Sequence, residues 1–237
     1  MFKRAIILAG GKGTRLRPYT VVLPKPLMPI GEYPILEVII RQLASHGFTH
    51  ITMAVNHQAE IIKAFFGNGE KWNIKIDYSL EDKPLSTMGP LKLIHDLPDN
   101  FLIMNGDILC DIDYGKFHDE HVKDEHIFTI SSARRVQNIE YGVLINDEKN
   151  NLVGFKEKPK EEFLVSMGIY MASKKILDII PADQPYGFDH LMLELIKRKN
   201  FAHIKEHKGY WLDIGRPDDY AQAIDEFESK KHIFLRS

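Results

Sequence analysis

One cysteine, Cys110, stands alone in 237 residues. It has no partner for an internal disulfide, which fits a reducing, cytoplasmic setting and excludes a disulfide scaffold. No stretch approaches the roughly 20 apolar residues that span a bilayer. The first apolar run stops at Gly10, short of a signal-peptide core, so no membrane role is expected. Charge of one sign is missing too: the formal net charge is −2 and Lys and Arg are spread along the chain, which argues against a general nucleic-acid binder. Metal-type Cys or His clusters are absent. The pairs His46/His50 and His118/His121 have helical spacing but no further ligands, and read as solvated surface histidines. Linkers, repeats and low-complexity segments are also missing, so residues 1–237 are expected to form one domain.

What is present is alternation. Residues 3–9 read as a buried strand, and Pro34 opens a helix with Leu36, Ile39, Ile40 and Leu43 at helical spacing, ended by Gly47. "HITMAV" is a second strand. "AEIIKAFFG" is a second helix, with Ile61, Ile62, Phe65 and Phe66 on one face. "IKIDYSL" is a third strand, "GPLKLIHDL" a third helix, and "NFLIMNGD" a fourth strand. Such alternation predicts an α/β fold with a mainly parallel sheet and helices on both faces. The second half mixes strands ("HIFTISSARR", "YGVLIN", "NLVGFKEKP", "FLVSMGIYMA") with helices near 173–180 and 187–199. A last helix starts at Pro217, with Asp218 and Asp219 in its first turn and Tyr220, Ala223, Ile224 and Phe227 on its apolar face.

Ligands on such sheets bind at the carboxyl ends of strands. The first such end carries "LAGGKGTRLRP". It fails the P-loop pattern, because Lys12 is followed by Gly13 and Ile6 stands at the first glycine position. It fails the dinucleotide fingerprint, because Leu16 replaces the third glycine. A plain tight turn would explain the glycines. It would not explain Lys12, Arg15 and Arg17 within or just after them, or Lys25 in the proline-stiffened "LPKPLMPIG". Cations gathered on one loop repel one another unless an anion such as a triphosphate neutralises them.

Asp107 ends the fourth strand and Asp213 lies in "YWLDIGRP". A lone Asp at such a place is often a turn former, but two facing a phosphate loop suit Mg²⁺, which takes one or two carboxylates plus phosphate oxygens. Asp111-Ile112-Asp113 resembles the Asp-x-Asp of metal-dependent glycosyltransferases; Asp113 as the cap of the following helix is the preferred reading. Lys158, between Glu157 and Pro159, is either solvated surface or a point charge for a second phosphate.

"LAGGKGTRLRP", "PKPLMPIG", "PLSTMGPL", "NGD", "YGVL", "EKP", "GIY" and "WLDIGRPDDY" follow one another in an order that resembles the sugar-1-phosphate nucleotidylyltransferases. The resemblance covers nearly the whole chain. It implies a Rossmann-like nucleotidyltransferase fold and the reaction NTP plus sugar 1-phosphate to NDP-sugar plus pyrophosphate. It implies nucleotide contacts from Leu8, Ala9, Gly10, Gly11, Gly13, Thr14, Arg15, Glu81, Pro84, Thr87 and Gly89. Arg15 and Lys25 are the implied catalytic cations, and Asp107 and Asp213 the Mg²⁺ ligands. Gly142, Glu157, Lys158, Ser166 and Gly168 are the implied sugar-phosphate side.

Two departures stand out. Ser166-Met167-Gly168 replaces the Asn-Ala-Gly of many relatives, and Ser86 stands where relatives often have Gly. "PLSTMGPL" is most similar to the segment of guanylyltransferases that make GDP-mannose and GDP-heptose. GTP with a mannose or heptose 1-phosphate is therefore expected; Glu81 is either an acceptor for the guanine edge or a surface charge. Thymidylyl, uridylyl or cytidylyl transfer, and a non-catalytic paralogue, are the alternatives. A metal-dependent glycosyltransferase using Asp111 and Asp113 is a further one, but it leaves the cationic glycine loop unexplained. Beyond the two substrates the expected partners include no nucleic acid, and a homo-oligomer stays open. Longer relatives add a β-helix or acyltransferase domain, so the catalytic domain alone is expected here.

Overall fold

A computed structural model describes residues 2–56 and 58–235. In chain order the strands and helices are β1 (Arg4–Leu8), β2 (Pro29–Ile30), β3 (Tyr33–Pro34), α1 (Ile35–Ser45), β4 (His50–Val55), α2 (Ala59–Phe66), β5 (Lys75–Leu80), β6 (Asn100–Asn105), β7 (Ile108–Cys110), α3 (Tyr114–Lys123), β8 (Phe128–Asn138), β9 (Val143–Asn146), β10 (Leu152–Lys156), β11 (Lys160–Ser173), α4 (Phe188–Lys197), β12 (His203–Glu206), β13 (Trp211–Asp213) and α5 (Pro217–Phe234). Seven strands form one sheet in the order β12-β8-β11-β6-β1-β4-β5. β1 pairs in parallel with β4 and β6, and β4 with β5. β11 runs antiparallel to both β6 and β8, and β12 is parallel to β8. This is the mixed, mainly parallel sheet the alternation predicts.

Period-two alternation divides the core. Ala5 and Ile7 of β1 join Leu102 and Met104 of β6 on the face covered by α1, α2, α3 and α5. Ile6 joins Phe101 and Ile103 on the other face, under α4. Three short pairs, β2–β3, β7–β13 and β9–β10, hang from the main sheet. Pro34 caps α1 and Asp113 caps α3, its Oδ1 accepting from Lys116 N at 2.8 Å.

Several local expectations are corrected. "GPLKLIHDL" makes only a 3₁₀ turn, Gly89–Leu93, because the N–H groups of Met88 and Gly89 both go to Tyr186 O, at 2.9 and 3.0 Å, which pins the segment's start. The 173–180 stretch is likewise a 3₁₀ turn, Lys174–Asp178. On α2 only Ile62 and Phe66 of the apolar four are buried, with Ala59; Ile61 and Phe65 sit one position back on the 3.6-residue spiral and stay exposed. Ile224 is exposed for the same kind of reason on α5.

The histidine pairs are not solvated. His50 is buried and bonded to Asp77, and His118 is buried against Phe48 with Nδ1 at 2.9 Å from Asp119. His46 is half-buried, its Nδ1 at Gln42 O. His121 is 1% exposed, with Nδ1 2.7 Å from Thr129 Oγ1 and Nε2 without a partner. Burial, then the nearby His126, His118 and His203, pull its pKa down to about 4 from 6.5. The unfolded chain therefore takes up this proton below about 6.5, while the native state resists it until about 4. Stability is complete above the upper value and falls as pH drops through this window. From pH 7 to 5 the loss is about 2 kcal/mol. His121→Gln, which keeps a bond to Thr129, is expected to flatten that slope in urea titrations at the two pH values; an unchanged slope would refute the assignment.

Candidate active site

β5, β4, β1 and β6 run in parallel and end at one edge of the sheet. A cleft of about 330 Å³ opens there, lined among others by Leu8, Gly10, Gly11, Glu81, Pro84, Thr87, Asn105 and Asp107. The glycine loop leaves β1 and turns through Gly13, at φ +59, where a side chain would start 2.9 Å from Thr20 Cγ2. Thr20 Oγ1 donates to Gly13 O at 2.7 Å and holds the turn. Thr14 and Arg15 follow in a 3₁₀ turn. Among the described residues, Lys12, Arg15 and Arg17 have no carboxylate partner, so the loop's positive charge is not cancelled within the chain.

Lys25 differs from them. Its ammonium is paired with Asp107 Oδ2, from a side chain 11% exposed. Asp107 Oδ1 is buried without a hydrogen-bond partner. The β7–β13 pair brings Asp213 to the same place: Asp213 lies opposite Ile108, and Ile214 N donates to Asp107 O at 3.1 Å. Partial desolvation raises the pKa of Asp213, Asp107 raises it further, and Lys25 and Arg15 oppose both. Asp213 Oδ2 and the Arg15 guanidinium nitrogens each lie 3.6 Å from the point where a side chain on Gly215 would begin. Two mutually repelling carboxylates, one with an orphaned buried oxygen, suit a divalent cation that shares phosphate oxygens. Among the described residues no group of three or more His, Cys, Asp or Glu forms a cage of its own.

Glu81 sits at the end of β5, half-buried. Its Oε2 accepts from Leu85 N at 3.1 Å, and its Oε1 comes within 3.3 Å of where a Gly10 side chain would start. Burial raises its pKa, against the lowering by that hydrogen bond. It belongs to the cleft wall rather than the outer surface. Pro84, Ser86 and Thr87 complete that wall. Ala9 and Gly89 lie behind it: Ala9 N donates to Ala54 O, and Gly89 is buried against Leu85.

The expected sugar side divides in two. Gly168, at φ +74, packs so closely on Asn105 that a side chain would begin 2.7 Å from its Nδ2. The pairing of β11 with β8 shifts register between Ser166 and Tyr170, which makes this bulge; Ser166 Oγ accepts from Gly168 N and donates to Tyr170 OH. Gly142, Glu157 and Lys158 instead flank β9 and β10 and do not line the cleft. Glu157 Oε2 reaches 3.3 Å from where a Gly142 side chain would begin, and Lys158 is exposed at φ +40. Asn105, of the strand-end "NGD", also lines the cleft, and so does Asn56, whose one signal in the sequence is that it is a polar residue closing an apolar strand. Asp113 is spent on its cap and Asp111 on His207, 2.8 Å away, so that pair does not form a metal site.

The sequence profile of the nucleotidyl transferase family matches residues 4–230. A UTP–glucose-1-phosphate uridylyltransferase of Synechocystis is 34% identical over 93% of this chain and 62% of its own. A mannose-1-phosphate guanyltransferase of Candida albicans is 32% identical over 97% and 66%. The chain thus spans about two thirds of the length of these curated relatives. HddC from Yersinia pseudotuberculosis, solved alone and complexed with GMP-PN, is 28% identical; the structure with GMP-PN superposes with a TM-score of 0.71 over 95% of this chain and all of that one. The chain belongs to the nucleotidyl transferase family and, within it, to the sugar-1-phosphate nucleotidylyltransferases. No described helix is long and apolar enough to cross a membrane.

Proposed function

We propose that the protein transfers a nucleotidyl group from GTP to a sugar 1-phosphate of the mannose or heptose type and releases pyrophosphate. The observation that carries this reading is the convergence of Lys25, Asp107, Asp213 and Arg15 beside a glycine loop whose other cations are unneutralised. An acceptor phosphate oxygen attacks the α-phosphorus in line; the new P–O bond forms as the bond to the bridging pyrophosphate oxygen breaks. Such transfer asks mainly for positioning and charge stabilisation. The backbone from Gly10 to Thr14 holds the triphosphate, Arg15 meets the leaving pyrophosphate, and Lys25 stands by the α-phosphate. Asp107 and Asp213 hold Mg²⁺, which supplies further neutralisation of the phosphates. Lys158 and Glu157 approach the acceptor from the β9–β10 side.

The choice of guanine is supported by relatives named as guanyltransferases, by a relative complexed with GMP-PN, and by Glu81 in the cleft wall. A carboxylate there accepts from guanine N1–H and its amino group. Glu81→Gln is expected to lower kcat/KM for GTP relative to ATP by roughly 10- to 150-fold, the scale of a lost charge-assisted hydrogen bond. An unchanged ratio would remove Glu81 from base recognition. The activity itself is tested by incubating the protein with each NTP, Mg²⁺ and a panel of sugar 1-phosphates. Pyrophosphate released only when both substrates are present supports the reaction. A pyrimidine preference in direct competition overturns the base and leaves the reaction class standing.

A further inference from the structure

A second basin, of about 460 Å³, has Ala133, Arg134, Arg135, Glu206, Lys208 and Trp211 among its walls. β13 connects it to the site. Trp211 and Asp213 are two residues apart on that strand, so their side chains leave it on one side, roughly 7 Å apart, while Leu212 turns into the core. The Trp211 indole N–H donates to Met167 O at 3.2 Å, next to Gly168 and the Asn105 contact. The basin wall therefore continues the Ser166–Gly168 bulge.

The charges in the basin are unequally matched. Arg134 is held by Glu206 and Glu162, at 2.8 and 2.9 Å. Asp111 is taken by His207 at 2.8 Å. Arg135 has neither a carboxylate nor a hydrogen-bond partner among the described residues. It lies over the Trp211 ring instead, its guanidinium carbon 4.6 Å from the centroid. Lys208, exposed on the rim, also lacks a carboxylate partner. A guanidinium that lies over a ring and has no hydrogen-bond partner leaves its N–H groups available, and its planar fork fits carboxylate or phosphate oxygens in pairs. The ring contact restrains the guanidinium before any ligand arrives, which reduces the ordering cost of binding.

We propose that this basin receives the end of the acceptor opposite its phosphate, and that Arg135 reads a second anionic group there. The preferred acceptor is then a sugar 1-phosphate that carries a further carboxylate or phosphate. This rests on the sugar 1-phosphate reading above. The test is calorimetric titration of the full chain, with Mg²⁺, by mannose 1-phosphate, its 6-carboxylate and its 6-phosphate, and by the three glucose counterparts. At least one doubly anionic acceptor is expected to bind roughly 10- to 100-fold more tightly than its neutral-ring parent, and the two anionic arms tell carboxylate from phosphate. Arg135→Leu is expected to abolish that preference and Arg135→Lys to restore part of it. Equal binding of parents and anionic derivatives overturns the proposal while leaving the acceptor class intact. So does an Arg135→Leu loss of equal size on both, which would mark a purely structural stack on Trp211. Failure of every sugar 1-phosphate to bind overturns both readings.

Discussion

Asp107→Asn is expected to lower kcat by at least about 100-fold while the melting temperature changes little. The amide keeps the shape but neither carries the charge nor binds Mg²⁺ well, and a metal-type stabilisation of transition-state charge is worth several kcal/mol, with tenfold in rate for each 1.36. The fold does not depend on the charge: Asp107 Oδ1 has no partner to lose, and the carbonyl that accepts from Ile214 N is unchanged. Lys25 loses its ion pair, whose side chains are 11% and 20% exposed, but the amide oxygen of Asn still accepts a hydrogen bond from its ammonium. Steady-state assays across a Mg²⁺ range, with circular dichroism on the same samples, check this. Near-normal turnover at limiting Mg²⁺ would remove Asp107 from the metal site. Asp213→Asn is expected to behave alike in activity. In addition it removes a carboxylate that partial desolvation and Asp107 already hold above its ordinary pKa.

Lys158→Ala is expected to raise KM for the sugar 1-phosphate roughly 10- to 150-fold and KM for the NTP far less. The asymmetry follows from place: Lys158 lies past the end of β10, outside the nucleotide cleft, with its charge exposed and unpaired among the described residues. Its φ of +40 is no easier for Ala than for Lys, so the exchange tests the ammonium and not the backbone. Equal effects on the two substrates would mean that Lys158 supports the loop or serves the triphosphate.

Much of the first half is legible from pattern alone. β1, β4 and β6 are apolar runs closed by a polar or glycine signal, and their burial on both faces is why they read as runs and not as alternation. "GPLKLIHDL" reads as a helix in the sequence and forms only a 3₁₀ turn in the fold. The segment's conformation is set by Tyr186 O, a residue distant in sequence. The histidine pairs read as surface residues for a similar reason. His118 and His121 lie on α3, and only the packing of that helix on the sheet puts both rings inside, where Asp119 and Thr129 accept them.

The glycine loop, its cations, the order of motifs and so the family are legible in the sequence, because each of these is a matter of residue type at short spacing. Tertiary structure alone decided which charges meet. Lys25 and Asp107 are 82 positions apart, and Asp213 comes in from the last quarter of the chain. The parallel crossovers from β1 to β6 and the closing β7–β13 pair bring all three to one strand edge. Arg135 carries no local signal in the sequence; in the fold it lies over Trp211 without a hydrogen-bond partner among the described residues. Electrostatic interaction depends on distance and on the water removed between groups, and neither is encoded at any local stretch of the chain.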